Sequence, residues 1–275
     1  MQTGVKDQRR SFNRDESLRK ESDDLTQPTA IRRAIYRVCG FLLLLMVWQI
    51  VGKSGVAGKT LPALTDVLRV YAVSWRRALL VRAAIATTTS AGLGLLLGTV
   101  LGCITAVIAR VLPMLSPGLN RLAVAVNALP AIALGPILIV TAGREATPVL
   151  LAAIPVSFLL YVAASSGMSS ADVALQQFFR ASGSGRWRRL FYLEVVVAVP
   201  TLLSGLKLAV TTAMIGAVVG EWFGAPTGLG IVILNTMQNF QIPLMWAAVL
   251  LTAGISLAAY GLIGVIERVV QRRFA

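Results

Sequence analysis

Six times along this chain, a run of about twenty residues passes with almost no charge. These runs lie at about 34–52, 83–109, 118–142, 147–167, 198–220 and 244–266. About twenty apolar residues in a helix are what it takes to cross roughly 30 Å of hydrocarbon. Inside hydrocarbon every backbone N–H and C=O must be satisfied within the segment, and a helix does this alone. The runs therefore predict an all-α, polytopic membrane protein with about six transmembrane helices. Hydrophobic residues make up 56% of the chain, above the 45–50% typical of a soluble domain.

Charge gives orientation. The chain carries 26 Lys and Arg against 12 Asp and Glu. The basic residues cluster at the ends of the apolar runs, as the positive-inside rule expects, and not among aromatics that would stack bases. Nucleic acid is excluded as a partner; membrane lipid is the expected surroundings. With six spans, the N-terminal tail, Arg110, the 180–189 cluster and the C-terminal tail share one side, the cytoplasmic one. Residues 1–30, polar and charged, read as a flexible basic cytoplasmic tail, and residues 31–275 as the membrane domain, with its core at about 80–270. One segment violates the rule. Residues 53–82 carry Lys53, Lys59, Arg69, Arg76, Arg77 and Arg82, yet fall on the external side. A helix lying on the membrane surface is one resolution.

Small residues mark where spans touch. Gly94, Gly98 and Gly102 recur every fourth residue in the second run, and Gly216 and Gly220 in the fifth. That spacing lets helix backbones approach, within one subunit or across a dimer. Pro130, Pro136 and Pro200 break or bend the spans that hold them.

Little in the chain supports catalysis. Histidine is absent, which removes the commonest general base and metal ligand. Cys39 and Cys103 fall in apolar runs and read as small packing groups. Asp66, Glu145, Asp172, Glu194, Glu221 and Glu267 are scattered singly, so neither a carboxylate pair nor a metal cage is expected. Lys207 is the one charge well inside a span and is expected to snorkel toward the cytoplasmic edge. Residues 52–60 imitate a phosphate loop, but five residues rather than four separate Gly52 from Gly58-Lys59-Thr60. No cofactor or metal is expected.

Two polar segments invite function. Residues 171–197 form a basic loop between the fourth and fifth spans, with helical patterns on both sides of Gly183-Ser184-Gly185. A cytoplasmic helix–turn–helix follows, with Gly183 at a positive φ. Phe178, Phe179 and Trp187, beside Gln177, Arg180 and Arg186, either sit at the bilayer interface or fill a groove on a soluble partner. On the other side, Gly228 and Gly230 follow a span ending near Glu221. They allow either a re-entrant or short external helix that closes an outer gate, or an ordinary surface turn.

The basic loop resembles the coupling loop of binding-protein-dependent ABC importer permeases of type I, the inner-membrane component. In that family Glu-Ala-Ala is followed after three residues by Gly, and then by Pro seventeen positions on. Gly183 and Pro200 keep the interval, Arg186, Trp187 and Arg188 fit, and Gln177-Phe178-Phe179 replaces Glu-Ala-Ala. Asn127-Ala128-Leu129-Pro130, Ser204–Ala209, Glu221 with Gly228-Leu229-Gly230, and Glu267-Arg268 extend the likeness, which is nearest to the nitrate, taurine and aliphatic-sulfonate branch. The resemblance implies a non-hydrolytic subunit of a bacterial inner membrane, with both termini cytoplasmic. Its partners would be cytoplasmic ABC ATPase subunits that grip the loop, an extracytoplasmic solute-binding protein, and a second permease copy in a homodimer. The small-molecule substrate would be an organic anion such as a sulfonate or taurine, or nitrate; a thiamine-pyrimidine precursor, methionine or phosphonate is the alternative. From other classes, a membrane-embedded enzyme lacks an acid–base constellation and a channel lacks a filter.

Overall fold

A computed structural model describes residues 30–274 apart from Ala57 and Lys59. The expected N-terminal tail lies outside the described residues, save for Ala30. All regular structure in the described residues is helical: α1 (Ala30–Ser54), α2 (Leu64–Ala72), α3 (Ser74–Val111), α4 (Ser116–Ala128), α5 (Ala131–Ala142), α6 (Thr147–Ser169), α7 (Val173–Ala181), α8 (Arg186–Arg189), a π-helical turn (Leu190–Glu194), α9 (Val195–Glu221), α10 (Leu229–Gln238) and α11 (Ile242–Phe274). Five helical stretches are long and apolar enough to cross a bilayer: Ile35–Ser54, Ser74–Val111, Thr147–Ser169, Arg186–Glu221 and Ile242–Arg273. The pair α4 and α5 is apolar enough when taken together but bent by 96° at its break, and makes a sixth crossing if the two helices form one broken span. The polytopic all-α expectation holds.

The chain divides into two compact units, one ending at Thr65 and one beginning at Asp66. In the first, the end of α1 is folded against Pro62–Thr65. Trp48 Nε1 donates to the Pro62 carbonyl (3.1 Å), and Gln49 exchanges hydrogen bonds with Thr65. Gly52 lies in the last turn of α1, with no room for a Cβ against Ala63. The phosphate-loop imitation is thus partly helix.

The second unit is built on α6, which is sandwiched between α3 and α9. Gly98 faces Ala153 and Val156, and Gly102 faces Ser157 and Leu160, so α3 and α6 run parallel. Gly216 faces Leu151 and Ala152, and Gly205 faces Ala163, so α9 runs antiparallel to α6. The glycine spacing therefore serves packing within one subunit. A Cβ built on Gly98 would fall 2.6 Å from the Ala153 carbonyl oxygen and 2.7 Å from Val156 Cβ. Gly92, on the same helix, faces open space. Gly98→Val is therefore expected to cost about 3 kcal/mol or more through overpacking against backbone, whereas Gly92→Val should be tolerated. Thermal unfolding of the two purified variants in detergent checks this; equal midpoints would refute the seam.

The structure makes two expectations more specific. Pro130 breaks the third run between α4 and α5, while Pro136 and Pro200 lie inside α5 and α9, which continue through them. In the basic segment a helix forms, and its apolar face packs on protein. The apolar face of α2, Val67 and Val70, is buried against protein, and Tyr71 donates to the Ala247 carbonyl (2.7 Å). The residues from Ser74 onward are the first turns of α3, nine residues before the apolar run begins. Ala and Leu between the arginines of this stretch are strong helix formers, so charge does not stop the helix.

Candidate functional site

The basic loop folds as helix, glycine turn, helix. Asp172 caps α7, its Oδ1 accepting from Ala174 N (2.9 Å), which satisfies one orphan donor of the first turn. At the other end Gly183 has φ +66°, while Gly183 N donates to Arg180 O and Ser184 N to Phe179 O, both at 3.1 Å. This left-handed residue after a helix closes the last carbonyls, and glycine adopts it without a Cβ penalty. Nothing lies within 4 Å of a Cβ at Gly183, so its requirement is conformational and not one of space.

Around this turn the aromatic side chains are unburied. Phe178 is 66% exposed and Trp187 58%, while Phe179 is half-buried. Phe178 and Phe179 meet edge-on, and Trp187 stacks on Phe191. Gln177, Arg180 and Arg186 are exposed beside them. The loop thus brings seven of the sequence-predicted residues together. Pro200, the eighth, is in the second turn of α9, inside that helix.

A charge cluster missed in the sequence fixes the loop. Arg110, at the end of α3, forks onto the buried Glu194, with Nε to Oε2 at 2.7 Å and Nη2 to Oε1 at 2.9 Å. Arg189 Nε adds a bond to Oε1 at 3.0 Å, and Arg186 Nη2 donates to the Arg110 carbonyl at 2.9 Å. Bidentate Arg–carboxylate geometry is the strong form of such a pair. The π-helical turn brings the carboxylate to Arg189, five residues earlier. Beside Arg110, a polar cavity of about 380 Å³ is lined by Ser116, Asn120, Tyr161, Ser165 and Ser169, and Tyr161 donates to Asn120 Oδ1.

Lys207 does not stand alone as expected. Its ammonium meets Glu267 Oε2 at 3.1 Å and lies 4.8 Å from the Tyr260 ring. Ser204 also donates to Glu267, so a polar clasp ties α9 to α11.

At the opposite end of α9, Glu221, Gly228 and Gly230 form one site. Gly230 N donates to Glu221 Oε2 (2.6 Å), and Leu229 N to Thr87 Oγ1 of α3 (2.7 Å). A buried carboxylate and a hydroxyl thereby cap the N-terminus of α10, where the helix dipole favours negative charge. A short helix, and not a plain turn, follows Gly228. Thr87 was not legible as a partner, because only the tertiary fold brings it to Leu229. Among the described residues no three His, Cys, Asp or Glu side chains gather as a metal site.

Comparisons with known proteins agree with this architecture. The family described as "Binding-protein-dependent transport system inner membrane component" matches residues 98–272. The formylaminopyrimidine transport permease protein ThiX of Halalkalibacterium halodurans is 28% identical over 235 residues, covering 83% of this chain and 92% of that one. The putative aliphatic sulfonates transport permease protein SsuC of Bacillus subtilis is 25% identical over 265 residues, covering 92% and 93%. Among solved structures, the MetNI methionine ABC transporter in inward facing conformations contains a similar chain. The TM-score is 0.62 at 17% identity, over 70% of this chain and 97% of that one.

Proposed function

Since this chain belongs to the family of binding-protein-dependent transport system inner membrane components, we propose that it carries a small organic anion across the bacterial inner membrane. The chain is a non-hydrolytic permease subunit of an ABC importer for small solutes. The loop around Gly183 docks into a separate cytoplasmic ATPase subunit. Two copies of residues 31–275 line one pathway, an extracytoplasmic binding protein delivers the solute, and both termini, with the tail 1–30, face the cytoplasm. ATP binding favours one arrangement of the docked loops, and that differential affinity drives the pathway from inward- to outward-facing. Glu221 with Gly228 and Gly230 holds the short helix α10 at the outer end as part of the gate.

The observation that carries this reading is the loop itself: exposed Phe178 on a helix capped by Asp172 and exposed Trp187 on the short helix after it, joined through a left-handed glycine. Exposed aromatics with arginines at their rim have the composition of an interface anchor. For the substrate, the likeness to an aliphatic-sulfonate permease over nearly the whole chain supports an organic anion. The formylaminopyrimidine relative supports a second reading, a pyrimidine. Uptake competition between a sulfonate and a pyrimidine separates them.

The coupling role is tested by expressing Gly183→Val and Phe178→Ala with the cognate ATPase. Truncating an interface aromatic commonly costs on the order of 2 kcal/mol, a loss of tens-fold in association. Co-purification and ATP hydrolysis by the complex are both expected to fall, with membrane insertion unchanged. Wild-type assembly and hydrolysis in both variants would show that the ATPase is gripped elsewhere.

A further inference from the structure

The basic segment that breaks the positive-inside pattern has a place in the structure that gives it a use. Helix α3 runs 38 residues from Ser74 to Val111, and its Arg110 end is bonded to Glu194 beside the coupling loop. Arg76 lies 34 residues up the same helix, which at 1.5 Å per residue is about 50 Å. The hydrocarbon is about 30 Å thick, and even a tilt of roughly 40° leaves Arg76 and Arg77 past its far edge.

There they belong to a protein cap with its own core. Val67, Val70, Leu80 and Ala83 pack with Leu229 and Val232 of α10 and with Leu244, Ala247 and Ala248 of α11. The exposed charge of this cap is net positive. Residues 66–83 hold Arg69, Arg76, Arg77 and Arg82 against Asp66, residues 222–248 hold no charge, and the adjacent Glu221 is buried. Arg69 is spent on Asp66 at 3.4 Å. Arg76, Arg77 and Arg82 make no ion pair among the described residues; Arg77 and Arg82 are exposed, and Arg76 lies half-buried over the Trp75 ring at 5.1 Å. Basic residues so close to a span oppose export of that segment. Their concentration at this end therefore calls for a compensating role.

The cap also carries exposed aromatic groups. Trp75 is 58% exposed, and Phe240, at the turn between α10 and α11, is 84% exposed. Phe240 has φ +55°, the only non-glycine residue in the left-handed region among the described residues. A bulky residue held there is unusual and costs backbone energy. Arginine and exposed aromatics are the composition of a protein-binding surface.

We propose that this outer cap is the docking face for an acidic surface of the solute-binding protein, with Arg76, Arg77 and Arg82 steering the encounter and Phe240 and Trp75 anchoring it. The proposal rests on the importer reading and adds the residues and the sign of the partner's charge. An anionic lipid headgroup is the less favoured occupant: the bilayer with its headgroups is about 40–45 Å thick, and at a typical tilt of about 20° Arg76 and Arg77 stand roughly 47 Å from Arg110 across the membrane, on a protein scaffold.

The test uses the full permease–ATPase complex in nanodiscs of neutral phosphatidylcholine, and the solute-binding protein whose gene accompanies the permease's. Association is followed on a biosensor between 50 and 300 mM salt. Steered association is expected to fall about tenfold over that range. The Arg77→Ala/Arg82→Ala variant should be slower by about tenfold at low salt and nearly flat with salt. Phe240→Ala should speed dissociation instead, and Arg272→Ala/Arg273→Ala, at the far end of α11, should match wild type. If wild type binds but the cap variants bind with unchanged rates and salt dependence, the proposal falls and the importer reading stands. If the arginine variant differs only in nanodiscs containing phosphatidylglycerol, the patch is a lipid contact and the proposal also falls. If wild type binds no binding protein at any salt, both fall.

Discussion

Gly228→Ala is expected to abolish transport almost completely while the protein still inserts in the membrane. Gly228 has φ +144°, a backbone region that side chains rarely adopt, and a Cβ there would land on the carboxyl group of Glu221. The Glu221 side chain has nowhere to go. It is 1% exposed, and its Oε2 is held by Gly230 N. Pushing it aside also removes the cap from α10, whose first N–H groups depend on Glu221 and, through Leu229, on Thr87. A carboxylate at a partly buried helix N-terminus stabilises by up to about 2 kcal/mol. Forcing a side chain into such a backbone region adds about 1–3 kcal/mol. The sum is a large part of the stability of an ordinary domain. The double variant Gly228→Ala/Glu221→Ala discriminates between causes. It restores space but neither the cap nor the backbone preference, so it should not rescue uptake. Glu221→Gln alone keeps the shape and one acceptor and should fall between. Uptake into proteoliposomes and the unfolding midpoint of each variant measure this; wild-type values in Gly228→Ala would show that the contact between α9 and α10 is not needed for transport and that the proposed gate does not rest on it.

The five or six spans were legible because a membrane reduces fold recognition to run length: about twenty mainly apolar residues mean a crossing whatever their order. The glycine seams were legible too, since four-residue spacing puts Gly94, Gly98 and Gly102 on one face. Hydrophobicity failed at the N-terminal end of α3, where Arg76, Arg77 and Arg82 end the apolar run but not the helix. The glycine turn at Gly183 was readable from local chemistry. The partners of the carboxylates were not. Glu194 finds Arg110 84 residues away and Glu267 finds Lys207 60 residues away, separations set by which spans lie side by side. Each looked isolated because a helix-periodic search covers only positions three and four apart. One hint was present: apart from the helix-capping Asp172, Glu194 is the one acid in a loop holding Arg180, Arg186, Arg188 and Arg189.

Glu194→Ala should detach the proposed coupling loop from the transmembrane core without touching a residue of the loop's exposed face. The Glu194 side chain is 2% exposed, and those of Arg110 and Arg189 are 32% and 22%. Breaking a buried ion pair by removing one partner typically costs about 3–5 kcal/mol, because the remaining charge is stranded. Both arginines here reach water in part, so roughly 2–3 kcal/mol is the better expectation. Arg110 would turn outward, its carbonyl would lose the fixed geometry in which Arg186 donates to it, and α8 would lose its tie to the end of α3. ATPase co-purification should then drop severalfold even though Phe178, Phe179 and Trp187 are intact. The double variant Arg110→Met/Glu194→Met separates stability from connection. Replacing a buried pair by apolar groups of similar volume is often neutral, and Arg189 can extend to solvent, so the unfolding midpoint should recover most of its loss. Transport should not recover to the same extent, because Arg186 and Arg189 no longer clamp the loop to a fixed carboxylate and carbonyl. The unfolding midpoint, ATPase co-purification and uptake, measured on the same preparations, decide the matter. A Glu194→Ala protein that matches wild type in all three would mean that the loop is held by its apolar contacts alone, and a double variant restored in all three would mean that the cluster serves stability and not coupling.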